Sequence, residues 1–124
     1  MAQTSGLLLQ HANDITYNPK LNRLVVACCD PNDRKIVYVD PDTLEETCSA
    51  LMRTATYCLA YDKDLDCYWT AKDLYYAAVP ADNLKKVFSA GKHGTTGHTN
   101  KGMTADEKYL HFVLYKENCL MVYD

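Results

Sequence analysis

The chain has 124 residues, a single-domain length, with 13 basic against 16 acidic side chains and a formal net charge of −3. Without a Lys/Arg cluster, that balance gives a nucleic-acid or anionic-membrane partner no electrostatic support. The longest apolar run is too short to span a bilayer, and MAQTSGLLLQ lacks the positive n-region of a signal peptide, so the chain reads as cytoplasmic.

In chain order, Leu7-Leu8-Leu9 reads as a short apolar strand within residues 4–10, followed by a loop, Gln10-His11-Ala12-Asn13. Ile15 and Tyr17 start a strand, Asn18-Pro19 marks a turn, and Leu24 to Ala27 returns. After the turn-forming Cys29-Asp30-Pro31-Asn32-Asp33, the β-branched and aromatic run Ile36 to Asp40 reads as a third strand. Pro41-Asp42-Thr43-Leu44 turns again, and Glu46 to Leu51 makes a more polar fourth strand, as expected of an outer edge.

The plan then repeats. Cys58 to Tyr61, Cys67 to Thr70, Tyr75 to Val79 and Lys86 to Ala90 read as four strands, with tight turns at Lys72-Asp73 and at Ala81-Asp82-Asn83-Leu84. Residues 91–100 form a polar, glycine-containing loop. Gly102 to Ala105, Tyr109 to Leu114 and Cys119 to Tyr123 give a third set, with a turn at Lys116-Glu117-Asn118. The only helical candidates, Leu44 to Arg53 and Asp82 to Ser89, are short and recur after the third strand, so both are expected to be strands. Ten tyrosines against two phenylalanines suit half-buried strands whose hydroxyls reach water or a neighbour. The six cysteines contain no CxxC and mostly fall at strand positions, where Cys behaves as a small buried hydrophobe.

These runs keep register. Forty-four positions after Ile15, Tyr17, Asn18 and Leu21 stand Leu59, Tyr61, Asp62 and Leu65; forty-four further on, Met103 matches Ile15 and Asp106 matches Asn18, in a copy whose turn is two residues shorter. A period in the forties is that of one four-stranded propeller blade. The fold class is therefore all-β: three four-stranded antiparallel repeats, at about 11–53, 54–98 and 99–124, with a strand at 4–10 completing a blade in one unit spanning 1–124. Closed propellers have about 4 to 8 blades, so three blades are expected to be half of a six-bladed ring, closed by a second copy in a homodimer.

The segments HANDITYNPKLNRLVVA, KIVYVDPDTLEE and MTADEKYLHFVLYKENCLMVYD resemble bacterial β-propellers of the YVTN/NHL type, over nearly all of residues 7–124. More narrowly, the chain is similar to uncharacterised six-bladed propeller proteins. The resemblance implies a propeller fold and leaves function open, because propellers host binding, scaffolding and catalysis alike.

In propellers the loop before each innermost strand opens near the central channel. The polar residues there are His11, Asn13, Asp14, Tyr57, Thr99, Asn100 and Lys101, of which His11, Asn13, Asp14, Tyr57, Asn100 and Lys101 are the candidate ligand-binding set for a small polar ligand or a peptide. Asn13 and Asp14 equally suit Asx turns that fix the loop. His93 and His98 share the glycine-containing loop but show no second ligand pair at zinc spacing. The DPDTL stretch at 40–44 and its counterpart at 79–84 read as structural turns. No nucleophile elbow, phosphate loop, dinucleotide fingerprint or HExxH occurs. The expected function is a non-catalytic binding module without a cofactor; the alternatives are a hydrolase or lactonase-like enzyme with a metal on the channel axis, or an assembly piece of a larger propeller.

Overall fold

Three matched side chains set the three inner turns. The computed structural model describes residue 3 and residues 6–92, 100–114 and 119–124, with Asn100 described by its backbone alone. The Asn18 side-chain oxygen accepts the Leu21 amide at 3.2 Å. Asp62 accepts the amides of Asp64 and Leu65 at 3.0 and 3.1 Å, and Asp106 those of Lys108 and Tyr109 at 2.8 Å each. A short polar side chain that bonds the backbone two or three residues on imitates a backbone turn. The matched residues Asn22 and Asp66 then take left-handed backbone, φ 50° and 48°, which Asn and Asp tolerate.

These turns join β1 (His11–Asn18) to β2 (Arg23–Asp30), β5 (Cys58–Asp62) to β6 (Cys67–Lys72), and β9 (Asn100–Ala105) to β10 (Leu110–Leu114). Outside them follow β3 (Lys35–Val39) and β4 (Glu46–Leu51), β7 (Tyr75–Pro80) and β8 (Ser89–Lys92), and β11 (Cys119–Tyr123). The result is three antiparallel sheets in chain order, β1-β2-β3-β4, β5-β6-β7-β8 and β9-β10-β11, here called blades 1, 2 and 3. The all-β propeller architecture is as expected, with three strands rather than four described in blade 3.

Period-two alternation gives each blade two packing faces. Val25, Ala27 and Ile36 of blade 1 meet Leu59, Tyr68 and Val79 of blade 2, with Met52 and Leu84 at the edges. On the other side of blade 2, Cys58, Ala60 and Ala71 meet Met103, Phe112 and Leu114 of blade 3. One buried polar link crosses the first interface: Asn18 Nδ2 donates to the Tyr68 hydroxyl at 2.9 Å, and that hydroxyl is also hydrogen-bonded to Tyr38. In the DPDTL turn, Asp40 accepts the amides of Asp42 and Thr43 at 2.9 and 3.0 Å, the structural role expected of it. Leu44 is held at φ 59°, a strained value for a bulky residue, and packs over Val39.

Several local expectations shift. Leu7 to Leu9 is a turn in the single chain, not a strand; Leu8 and Leu9 fold onto the apolar face of Val26, Cys28, Val37 and Val39 of blade 1, and Glu46 and Lys35 take up the backbone polar groups of Leu8. His11 to Asn13 belongs to β1 rather than to a loop, since His11 and Ala12 pair with Asp30 and Cys28 across a bulged register. The outer strand of blade 2 begins at Ser89, not Lys86, after backbone bonds from Lys86 to Asn83 and from Phe88 to Ala78. Of the cysteines, Cys28, Cys58 and Cys67 are buried, whereas Cys48 and Cys119 are exposed. The His93 and His98 loop and the turn at 116–118 lie outside the described residues.

Asn18 is fully buried, and its loss removes one of the two partners of the Tyr68 hydroxyl and leaves the Leu21 amide without its side-chain acceptor. Asn18→Ala is expected to lower stability by about 1–3 kcal/mol, read from urea unfolding. A change inside a few tenths of a kcal/mol would mean that this link does not hold blades 1 and 2 together.

Candidate functional site

The first halves of β1, β5 and β9 stand side by side where the three blades converge. Asp14, near the start of β1, reaches across all three. Its Oδ2 accepts the amide of Leu59 on β5 at 2.9 Å and that of Met103 on β9 at 3.2 Å, while Oδ1 accepts its neighbour Ile15 at 2.9 Å. Burial raises the Asp14 carboxyl above its ordinary pKa, against the pull of these three amides. Beside it, Asn13 Nδ2 donates to the Tyr57 carbonyl at 2.6 Å, and Thr16 Oγ1 accepts the Tyr61 amide at 3.0 Å.

The candidate residues therefore divide. Asn13 and Asp14 come together with the backbones of Tyr57, Leu59 and Met103, and their polar atoms tie blade to blade. Cys58 sits in the same place, buried, its thiol pushed up to about 12 by burial and by the Asp14 charge, with Lys101 opposing the shift. Asp14 and Lys101 are thus both within electrostatic reach of Cys58. The Tyr57 ring lies under the Lys72 ammonium, 4.8 Å from nitrogen to ring centroid, and Lys72 pairs with Asp33 at 2.7 Å. His11 is set apart at the tip of β1, exposed and paired with Asp30. Asn100 opens β9 opposite Leu114.

Sequence reasoning missed two contributors. Thr16 is one of the inter-blade acceptors, and its alternation with Asp14 on the blade-2 side of β1 was the available signal. Lys72 follows Ala71 at the end of β6, and only the fold brings it over Tyr57. A channel-axis metal would have to compete for a carboxylate already accepting three backbone amides; among the described residues no three His, Cys, Asp or Glu side chains form a group able to hold a metal. No helix among the described residues is long and apolar enough to cross a membrane. A cavity of about 430 Å3 opens beside the site on the uncovered face of blade 1, lined by Leu9, Asn13, Asp14, Ile15, Leu24 and Val39 among others.

No family model matches this chain, and no curated protein sequence matches it. Solved structures do. A chain of a nidogen/laminin complex superposes with a TM-score of 0.70 at 13% identity, covering 94% of this chain and 44% of that one. RRP9 WD40 repeats give 0.60 at 10%, covering 98% and 42%, and Kuenenia stuttgartiensis hydrazine synthase gives 0.55 at 13%, covering 91% and 35%. This chain thus spans less than half the length of each of these. The neighbours include β-propeller proteins, and at these identities the likeness is one of fold.

The raised Asp14 carboxyl fixes the sign of a pH effect. A folded-state pKa above the unfolded value means that the native state holds the extra proton, so this contribution to stability is full below the ordinary carboxylate pKa and falls away as pH rises through the raised native value. The stability of the wild type relative to Asp14→Asn is therefore expected to decrease as pH rises from 3 into that range, in paired urea titrations. A difference that grew with pH would show that the three amides outweigh burial.

Proposed function

We propose that this chain is a non-catalytic binding module, half of a six-bladed ring of the YVTN/NHL-like kind, which two copies complete and whose inner-strand starts meet a small polar ligand or a peptide. The observation that carries the reading is the convergence of the starts of β1, β5 and β9 at one place, with Lys101 and Cys58 beside Asp14. Asn13 and Asp14 spend their polar atoms on the blades, and the side chains exposed around them for ligand recognition are those of His11 and Lys101, with the Tyr57–Lys72 pair beside them. Three blades are too few for a ring by themselves; in the ring, residues 4–10 of each copy supply the outer strand beside β11 of the other, under a two-fold axis.

Two measurements test this. Light scattering at micromolar concentration is expected to give a particle of about 28 kDa, twice the 14.0 kDa chain; a folded monomer would overturn the assembly. Saturation-transfer NMR against amino acids and short polar peptides should give signals that Lys101→Ala removes, whereas Asn13→Ala should lower the melting temperature through its lost bond to Tyr57. A binding signal indifferent to Lys101, His11 and Tyr57 would place recognition elsewhere.

A further inference from the structure

Each blade has one face that receives the preceding blade and one that is received by the next, and the register makes the two comparable between copies. Ile15 pairs with Val26 as Leu59 pairs with Thr70 and Met103 with Phe112. Leu59 and Met103 are 0% and 7% exposed, covered by the blade before them; Ile15, with no blade before it, is 55% exposed. The opposite faces correspond in the same way. Ala27 pairs with Asp14, Ala71 with Cys58 and Val113 with Gly102. Ala27 and Ala71 are buried against the next blade, while Val113 is 51% exposed, with Leu120 and Val122 alongside it at 63% and 50%. One chain therefore carries both halves of an interface that it makes twice internally. The uncovered blade-1 face already holds the groove, about 430 Å3, lined by Ile15, Leu24, Val26, Val39 and Leu44.

That groove has a local occupant. Leu8 and Leu9 of the N-terminal turn lie on Val26, Cys28, Val37 and Val39, and Leu9 lines the groove itself. The turn is pinned at both polar ends: the Glu46 carboxylate accepts the amides of Gly6 and Leu8 at 2.5 Å each, and Lys35 Nζ donates to the Leu8 carbonyl and, at 2.9 Å, to Gln10. The same face cannot hold both this turn and a neighbouring blade.

We propose that the blade-1 face of one copy is the docking surface for the Val113-Leu120-Val122 face of a second copy, and that the N-terminal turn, latched by Glu46 and Lys35, is a self-cap that must leave before the two join. The proposal rests on the two-copy reading above and names its surface and its regulation. Release also frees residues 4–10 to become the strand that this reading requires of them. The cap costs assembly twice, once per copy, so weakening it acts on the dissociation constant as a square.

Sedimentation velocity across a concentration series, paired with hydrogen exchange at Gly6 and Leu8, tests this. Glu46→Ala keeps the N-terminal residues but loosens the latch; it is expected to lower the monomer–dimer midpoint at least tenfold, and in dilute monomer its Gly6 and Leu8 amides should exchange faster than those of the wild type. Val113→Asp, at a position exposed in the free chain, should raise the midpoint at least tenfold without altering exchange at Leu8 in the monomer. If the wild type and Glu46→Ala dimerise at one midpoint, with Leu8 equally protected in the two monomers, the cap is overturned and the ring stands. If both variants and the wild type remain monomeric at hundreds of micromolar, or form open chains of many copies, the two-copy ring itself is overturned.

Discussion

A propeller has no hydrogen-bonded ladder between its blades, so the angle from one sheet to the next depends on what crosses the gap. Besides the Lys72–Asp33 and Lys20–Asp66 pairs nearer the surface, the side chains that cross at the inner strands come from β1. Asp14 accepts amides of both other inner strands, Thr16 accepts Tyr61, Asn13 donates to Tyr57, and Asn18 at the far end donates to Tyr68. Apolar burial at the faces supplies most of the stabilisation, but it is non-directional. The bonds from β1 supply the direction, and a half-buried carboxylate is tolerated there because each of its oxygens is engaged.

The sequence made the architecture readable because blade geometry repeats its demands at a fixed interval. Asn18, Asp62 and Asp106 recur because each turn needs a short side chain to accept amides two or three residues ahead. Ile15, Leu59 and Met103 recur because each blade needs an apolar residue on the face turned to its predecessor. What escaped the sequence was whatever the repeat does not determine. Leu7 to Leu9 reads as a strand by composition, yet a leucine run next to an uncovered apolar face is satisfied by lying on it, with Glu46 and Lys35 as partners 27 to 40 residues away. Glu46 looked like an ordinary polar residue of an outer strand. The late start of β8 at Ser89 has a similar origin: Phe88 bonds back to Ala78 before the regular ladder begins.

The candidate site was legible in position but not in role. Aligning the repeats brought Asn13, Asp14, Tyr57 and Lys101 to one place, because equivalent positions must converge in a structure with approximate rotational repeat. Alignment could not say which polar atoms remained available. That depends on distances across blade boundaries, where a one-residue change in register exchanges a residue's two faces.

The same distances constrain the chemistry that the convergence point can host. A carboxylate already accepting three amides would have to give up the part-buried amides of Leu59 and Met103 to bind a cation or take up a substrate's proton, at up to about 1–3 kcal/mol each. Asp14 is therefore held to a fixed geometry, and a ligand meets what surrounds it rather than the carboxylate. The surrounding residues differ among the three copies: His11 and Asn13 in the first, Tyr57 in the second, Lys101 in the third. Two such chains around a two-fold axis would set these three unlike groups against their own copies, so that recognition would favour a ligand with two-fold pseudo-symmetry or one small enough to use a single half.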